Sequence, residues 1–175
     1  MNHDDKPHYM RFAAMIATSM LVMFGLMYIN TFEFAHIRWS ETRLYMTFIM
    51  GAAMAVIMLS FMRGMYHNTK VNLAIYVGSV VVFVIALFLL RSQTLVQDTS
   101  YMRAMIPHHS IAILTSEHAD INDVRVRELA DEIIEAQRRE IKEMDWLIAD
   151  IGENGIAATQ SEADARPVPE FEAEP

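Results

Sequence analysis

The stretch VNLAIYVGSVVVFVIALFLL, residues 71–90, decides the fold of this chain. It contains 20 residues and no charged side chain. A helix of this length is about 30 Å long and matches the hydrocarbon core of a bilayer, so the stretch predicts a transmembrane helix. Two further uncharged stretches precede it, at residues 12–29 and 44–62. Basic side chains bound all three stretches, as anchors at the membrane surface do: Arg11, Arg43, Arg63, Lys70 and Arg91.

The first apolar stretch is interpreted as an uncleaved anchor and not as a signal peptide. It is long for a signal core, lacks a small-x-small cleavage site and precedes two more spans. With three spans, the side that holds the N-terminus carries four basic residues near the membrane, against three on the other side. The positive-inside rule then predicts that the C-terminal part is extracytoplasmic. The expected location is a bacterial inner membrane.

Charge changes sign along the chain. Residues 1–97 carry seven basic and four acidic side chains, a net +3. Residues 98–151 carry six basic and twelve acidic side chains, a net −6. Residues 152–175 carry one basic and six acidic side chains, a net −5. An acidic extramembrane part argues against nucleic acid as a partner and is compatible with cation binding. The chain has no cysteine, which excludes disulfides and thiolate metal sites.

These patterns divide the chain into four segments: an N-terminal segment (1–11), a three-helix transmembrane anchor (12–91), a helical hairpin (92–151) and an acidic tail (152–175). The first helix of the hairpin is predicted to be capped by Asp98 and to end near His118. The second is predicted from about Val124 to Ile151, with Gly152 as its stop. The tail is rich in Glu, Ala and Pro without periodicity, which predicts disorder.

Polar side chains occupy the apolar stripes that should form the seam of the hairpin. At about 100° per residue, the first helix aligns His109 with Met102, Met105 and Ile113. The second helix places Gln137 and Glu140 on its apolar stripe. Burying an unpaired carboxylate costs several kcal/mol, so Glu140 requires a proton, a cation or a metal ion. The seam therefore predicts a site between the two helices.

The two adjacent histidines after Pro107 suggest which ligand this site takes. Imidazole and thioether donors together suit soft or borderline metals such as copper. Pro107 either kinks the helix or begins a new one, and at such an irregularity His108 and His109 can converge. The alternatives are an exposed or capping histidine pair, methionines that only fill the core, and a Glu140 that pairs with Arg103 or with an arginine of another chain.

The segments DTSYMRAMIPHH (98–109) and LADEIIEAQRREIKEM (129–144) resemble the DUF305 family. The upstream segments YINT (28–31), SETR (40–43) and MGAAM (50–54) resemble its three-span version. The resemblance implies a ferritin-like helical fold, in a family of which some periplasmic members bind copper. It implies metal ligands at Met102, Met105, His108, His109, Glu140 and Met144. A ferritin-like bundle needs four helices, so a single hairpin predicts a homodimer that completes it.

The sequence thus predicts an all-α, non-enzymatic, membrane-anchored protein that binds copper in metal tolerance or delivery. Its partners would be the lipid membrane, the metal ion and a second copy of the chain. One rival is a structural or interaction module of the cell envelope that oligomerises through the hairpin, and another is a metal-dependent oxidoreductase. The Glu33-x-x-His36 motif does not make the paired set of a di-iron site, but it leaves His36 as an accessory ligand. Methionines at every fourth residue from Met46 to Met62 favour packing over a copper path.

Overall fold

The computed structural model of the protein describes residues 6–172. Its α-helices are α1 Lys6–Leu26, α2 Glu41–Phe61, α3 Thr69–Ser92, α4 Asp98–His118, α5 Val124–Asn154 and α6 Gln160–Ala165. Two single 3-10 turns, Phe34–His36 and Arg63–Met65, lie in the loops after α1 and α2. No strand occurs between residues 6 and 172, so the predicted all-α class is confirmed.

Helices α1, α2 and α3 are each long and apolar enough to span a membrane. Helix α3 exposes most of its apolar side chains, among them Val80, Phe83 and Phe88. In water such a surface would be a large apolar patch, whereas in a bilayer it contacts lipid at no cost. The three helices therefore fit a membrane protein, as the apolar stretches predict.

The described chain divides into two compact units. One comprises the described residues up to Met27 together with Glu41–Leu95, and it contains α1 to α3. The other comprises Tyr28–Ser40 and the described residues from Val96 onward, and it contains α4 to α6. The sequence places residues 28–40 within the anchor segment, whereas the structure assigns this loop to the hairpin unit.

In the membrane unit, α2 packs against both α1 and α3. The Tyr9 hydroxyl donates a hydrogen bond to Asn72 Oδ1 at 2.8 Å, and Asn72 Nδ2 donates to the Tyr66 carbonyl at 2.8 Å. These polar groups are buried and satisfied, as a membrane interior requires. They border the apolar core of the unit, which is formed by Tyr9, Phe12, Ala55, Leu59 and Tyr66.

Small residues allow α1 and α2 to approach closely. Gly51 is buried in α2, and a side chain at this position would collide with the thioether of Met20 in α1. Ala52 and Ala55 are also buried on α2. Small residues at a helix contact are the usual device for close packing within a membrane. The small residues of the second span therefore lie at its contact with α1 or within the core of the unit.

In the hairpin unit, α4 packs along α5. The ion pair between Arg138 and Glu117 joins the two helices at 2.6 Å, and both side chains are partly exposed. Phe32 of the loop packs against the core of this unit, and the guanidinium of Arg138 lies 5.8 Å from the centre of its ring. The buried core residues are Met102, Ile106, Ile113, Ile141 and Met144.

Helix α4 differs in two respects from the sequence-based expectation. Asp98 is its first helical residue and Gln97 occupies the N-cap, although Asp98 was predicted as the cap. An acidic side chain in the first turn still stabilises the positive end of the helix dipole. Pro107 lies inside the helix, which continues through it to His118. No new helix begins at Pro107, so His108 and His109 keep ordinary helical spacing.

The C-terminal part is more ordered than the sequence analysis predicts. Helix α5 continues through Gly152 to Asn154, and Gly155 ends it with a φ of 77°. Helix α6 follows, although the tail was predicted to be disordered. Its N-terminus carries a capping box formed by Thr159 and Glu162. Arg166 then forms an ion pair with Asp150 of α5 at 2.7 Å. Local capping and one long-range ion pair thus order a segment that has little apolar surface.

Two glycines at the end of α5 should respond oppositely to substitution. Gly155 adopts φ 77° and ψ 177°, a region open essentially to glycine alone, so Gly155→Ala should cost about 1–3 kcal/mol. Gly152 is helical with open space around it, so Gly152→Ala should stabilise by about 0.5–1 kcal/mol. Urea unfolding of the hairpin in the detergent-solubilised full chain measures both. Changes of the same sign would contradict this description of the helix end.

Candidate metal centre

The central feature of the hairpin seam is a contact between His109 of α4 and Glu140 of α5. His109 Nε2 lies 2.6 Å from Glu140 Oε2. The other ring nitrogen, Nδ1, lies 3.0 Å from the backbone carbonyl of Met105, one turn earlier in α4. The His109 side chain is 11% exposed and that of Glu140 is 41% exposed. The pair is therefore buried on the histidine side and open to a ligand on the carboxylate side.

The two contacts of the His109 ring constrain where its hydrogens can lie. A carbonyl oxygen only accepts, so the Nδ1 of His109 carries a hydrogen and donates it to Met105. One further proton then lies in the 2.6 Å contact between Nε2 and Glu140 Oε2, because two bare acceptors do not approach so closely. When that proton leaves, the Nε2 lone pair and a carboxylate oxygen face the same point. A metal ion could bind both atoms if a rotation of the Glu140 side chain widened the contact.

The backbone contact of His109 has a counterpart in metalloproteins. Ligating histidines generally donate their second ring N–H to a carbonyl or a carboxylate, which fixes the tautomer and the orientation of the ring. The Met105 carbonyl has this position relative to His109. His109 is therefore oriented with Nε2, the nitrogen that contacts Glu140, as the ring atom that could coordinate an ion.

The methionines of the proposed ligand set lie in the hairpin core. Met102 and Met144 are buried in the same cluster as Ile106 and Ile113, and Met105 packs against that cluster from a half-buried position. They therefore fill the core in the way that methionine commonly does. Their thioethers are the sulfur groups of the hairpin, which contains no cysteine.

The structure separates His108 from His109. Their ring centres are 6.2 Å apart and the rings are tilted by 65°. His109 is buried in the seam, whereas His108 is exposed. Because α4 is continuous through Pro107, the expected convergence of the two imidazoles on one point does not occur within a single chain.

Glu140 has a partner that the sequence analysis did not assign. Arg103 and an arginine of another chain were considered, and the hydrogen bond instead goes to His109. Within residues 6–172, no three His, Asp or Glu side chains are arranged so that they could hold a metal ion together. Further donors to an ion at the His109–Glu140 pair would be methionine sulfurs, water or groups of a second molecule.

A second polar contact, next to this pair, was missed by the sequence analysis. Ser110 is completely buried, and its Oγ accepts a hydrogen bond from the backbone N–H of Phe32 at 2.7 Å. The same Oγ lies 3.0 Å from His36 Nδ1. A third link joins Arg38 to Asp145 at 3.3 Å. The loop between α1 and α2 is thus fastened to the hairpin directly beside His109.

His36 was considered as an accessory ligand, and the structure gives it a different environment. Its Nδ1 contacts Ser110, and its Nε2 lies 3.8 Å from Glu33 Oε2. The pocket that it lines has a volume of about 260 Å³ and also contains Phe32, Ile113, Arg138, Ile141 and Lys142. Neither His109 nor Glu140 lines this pocket. His36 therefore belongs to the docking of the loop and not to the candidate metal centre.

Burial lowers the pKa of His36 below its ordinary value, and the charge of Arg38 acts in the same direction. The charges of Glu33 and Asp145 oppose this shift, but burial outweighs them. His36 is therefore held neutral in the docked loop. Protonation would place an imidazolium in a site that its surroundings do not stabilise.

Docking of the loop should consequently weaken in acid. An unfolded chain protonates His36 below about pH 6.5, whereas the folded chain does so only at lower pH, so stability falls as the pH drops through this interval. Below that pH, we expect the free energy of unfolding of wild type to fall more steeply with decreasing pH than that of His36→Gln. Above that pH, the two free energies should change with pH in the same way. His118→Gln, at an exposed histidine, should keep the wild-type slope. Equal slopes for wild type and His36→Gln would contradict this role.

Two comparisons bear on the relationships of the chain. The family model of a domain of unknown function, DUF305, matches residues 98–172, which contain α4, α5 and α6. An uncharacterized protein, L153 of Acanthamoeba polyphaga mimivirus, is 30% identical over 142 residues, covering 77% of this chain and 91% of the relative. The similarity to this relative extends beyond the hairpin, because residues 98–175 make up less than half of the chain. No solved structure gives a significant match to the chain.

Proposed function

The chain belongs to the DUF305 family, and from this premise we propose that it is a membrane-anchored, non-enzymatic copper-binding protein acting in metal tolerance or delivery. The observation that carries the proposal is the His109–Glu140 contact of 2.6 Å, with His109 Nδ1 engaged by the Met105 carbonyl. This arrangement supplies an oriented imidazole nitrogen and a carboxylate oxygen as soon as one proton leaves. Both donors suit Cu(II), and the neighbouring thioethers suit Cu(I).

The proposed ligands differ in their roles. His109 and Glu140 form the centre, and Met102, Met105 and Met144 lie in or against the adjoining core. Methionine side chains are unbranched and flexible, and Met105 and Met144 each lie one helical turn from His109 and Glu140, so their sulfurs are the thioethers best placed to reach the ion. Two donors leave an ion incompletely coordinated, so the thioethers or a second chain complete the set.

A second copy of the chain is the partner we propose for the hairpin. Tyr101 and His108 project from one side of α4, since seven residues correspond to nearly two full turns. Tyr101 is 55% exposed and His108 is also exposed. On α5, Val126 is 48% exposed and Leu129 is 55% exposed, on the side where Glu140 is half-exposed. Pairing two hairpins through these sides would complete a four-helix bundle and bring His108 of the second copy toward Glu140.

We propose a bacterial inner membrane as the location, with the hairpin on the extracytoplasmic side. The support is the small excess of basic residues beside the predicted cytoplasmic ends of the spans, four against three. The periplasmic location of some copper-binding members of the family is consistent with this orientation. An acidic extramembrane part, net −6 over residues 98–151, would also attract cations.

One observation favours the rival function, a structural or interaction module without metal. Met102 and Met144 are well packed in the apolar core, and His109 and Glu140 satisfy one another as a hydrogen-bonded pair. In that case the pair would serve only to fix the register of α4 against α5. Copper would then alter neither the thermal stability nor the oligomeric state of the protein.

Metal analysis of the full chain distinguishes the two functions. The protein is purified from membranes in detergent without added metal, its metal content is measured, and it is titrated with Cu(I) and Cu(II) against competing chelators. The proposed function predicts that copper co-purifies and raises the temperature of hairpin unfolding, because a ligand that binds only the folded state stabilises it. Failure to take up supplied copper, with unchanged stability, would leave the structural module as the function.

A further inference from the structure

The loop between α1 and α2 exposes four large apolar side chains. Phe34 is 93% exposed, Ile29 is 73% exposed, Trp39 is 53% exposed and Ile37 is 41% exposed. We call these four residues the outer face of the loop. Single exposed apolar side chains are common on protein surfaces, but four large ones within one short loop are a concentration that points to contact with a partner or a membrane.

The opposite side of the same loop is fixed. The N–H of Phe32 donates to Ser110 Oγ, His36 contacts that same oxygen, and Arg38 pairs with Asp145. Phe32 packs into the hairpin core. These contacts order the backbone of the loop, so the exposure of the outer face is not a consequence of a loose chain. The loop presents its apolar side chains on a rigid support.

Chain connectivity indicates what covers them. The loop leaves α1 at Leu26 and enters α2 at Glu41, and both helices are long and apolar enough to span a membrane. A chain advances at most about 3.5 Å per residue, so the middle of this 14-residue loop lies within about 25 Å of a helix end. Both ends of the loop emerge from the same side of the bilayer. A lipid surface is thus necessarily near, whereas a protein partner would have to be recruited.

The residue types fit the headgroup region. Tryptophan and other aromatic side chains are enriched where membrane proteins cross the lipid–water interface, and Trp39 and Phe34 are two of the four residues. Glu33, beside Phe34, is 56% exposed and would remain hydrated at this depth. The one basic side chain of the 28–40 loop, Arg38, is engaged by Asp145 and by the Ala35 carbonyl. The loop therefore attaches through apolar contact and not through attraction to anionic lipid.

We propose that the outer face of the loop, Ile29, Phe34, Ile37 and Trp39, lies in the interfacial layer of the bilayer and binds lipid there. The inference rests on the membrane placement of α1 to α3. Because other residues of the loop are fastened to α4 and α5, this contact attaches the hairpin unit to the membrane surface in addition to its covalent connections at residues 28, 40 and 96. The face proposed for a second copy, around Tyr101 and Leu129, remains available.

Tryptophan fluorescence tests this directly, because the chain contains only two tryptophans. In Trp146→Phe, Trp39 is the single reporter, and in Trp39→Phe, Trp146 of α5 is the matched control. Both full-length variants are reconstituted into vesicles of lipid brominated either near the headgroup or near the methyl end of the acyl chain. We expect Trp39 to be quenched most by the shallow label and to resist aqueous acrylamide, and Trp146 to be unaffected by either lipid.

Two results would overturn the proposal. Trp39 that is open to acrylamide and no more quenched by lipid than Trp146 would place the outer face in water. Trp39 that is protected from both quenchers would show that protein covers it, as in contact with a second copy. As a second test, Phe34→Asp with Ile37→Asp should raise the acrylamide quenching of Trp39 several-fold, and unchanged quenching would contradict the lipid contact.

A third reporter separates this inference from the membrane placement on which it rests. Phe83 is 37% exposed in the middle of α3, and Phe83→Trp combined with Trp39→Phe and Trp146→Phe places the sole reporter there. Strong quenching by the deep label confirms that α3 lies in lipid. If this reporter is quenched and Trp39 is not, the loop proposal alone fails. If neither is quenched, the membrane placement fails as well.

Discussion

Replacement of His109 by alanine should lower the copper affinity of the full chain by more than about 100-fold. Loss of a group that merely orients a ligand typically costs 10- to 100-fold in metal affinity, and His109 is proposed as a ligand itself. The imidazole is the one nitrogen donor in the seam whose orientation is fixed, by the Met105 carbonyl, and whose other nitrogen faces a carboxylate. Competition titration of the detergent-solubilised protein with a Cu(I) chelator measures the change.

The matched control for this variant is His118→Ala. His118 lies on the same helix and places its Nδ1 3.0 Å from the Leu114 carbonyl, the same local contact that His109 makes with Met105. It is exposed, and no ion pair between it and a carboxylate is found in residues 6–172. Its removal should leave copper affinity within a few-fold of wild type. Equal losses for the two variants would show that copper binds histidines without regard to the seam.

Glu140→Gln should also weaken copper binding, by about 10- to 100-fold. The amide keeps the shape of the side chain but supplies no negative charge to the ion and takes no part in sharing a proton with His109. Glu143→Gln, on the same helix and also partly exposed, is the control and should bind as wild type does. Wild-type affinity in Glu140→Gln would assign the carboxylate to a structural role.

The largest loss of stability is expected for Ile106→Ala, about 2–5 kcal/mol. Ile106 is completely buried between α4 and α5, where it lies in the cluster that contains Met102 and Met144. Truncation removes apolar contact and leaves a cavity that two packed helices cannot fill by local movement. Urea unfolding of the hairpin, followed by Trp146 fluorescence in the Trp39→Phe background, gives the free energy.

Leu129→Ala provides the comparison for this core variant. Leu129 is on α5 but is 55% exposed, so truncation should change stability by less than about 0.5 kcal/mol at protein concentrations too low for pairing. At higher concentration the same variant should weaken dimer formation, because Leu129 lies on the face proposed for the second copy. A loss for Leu129→Ala equal to that for Ile106→Ala would mean that the hairpin core is not the one described.

The membrane half could be predicted from sequence because its signal is long and local. The uncharged stretches 12–29, 44–62 and 71–90 correspond to α1, α2 and α3, although the helices begin earlier, at Lys6, Glu41 and Thr69. An uncharged stretch shows which part of a helix contacts lipid. It does not show where the backbone hydrogen bonds of that helix begin and end. Polar residues that cap or extend the helix into the headgroup region therefore fall outside the predicted limits.

In the hairpin, some helix limits could be predicted from sequence and others could not. The turn between His118 and Val124 was predicted correctly, because polar residues there interrupt two apolar stripes. The predicted end of α5 was wrong by three residues. Either Gly152 or Gly155 could end the helix as judged from sequence, but only Gly155 adopts a positive φ. Helix α6 was missed although Thr159-x-x-Glu162 is a readable capping box, because the acidic composition of the tail outweighed it.

The candidate site was predicted in part. Periodicity alone placed His109 and Glu140 in the seam, and the requirement for a partner of the buried carboxylate followed from electrostatics. The partner itself, and the docking of Ser110 with Phe32 and His36, depend on residues that lie far apart in sequence: 78 positions for the Phe32–Ser110 bond. Such contacts produce no periodic pattern in the sequence. They form only when the loop packs against the hairpin in the folded protein.

The measurement that bears most directly on the His109–Glu140 centre is proton release on copper binding. Calorimetric titration of the full chain at mildly acidic pH, in two buffers with different enthalpies of ionisation, counts the protons that leave with each ion bound. We predict that wild type releases one proton more than His109→Ala, because copper takes the place of the proton shared between Nε2 and Oε2. Copper binding with the same proton release in both proteins would contradict the account, since the ion would then be held elsewhere.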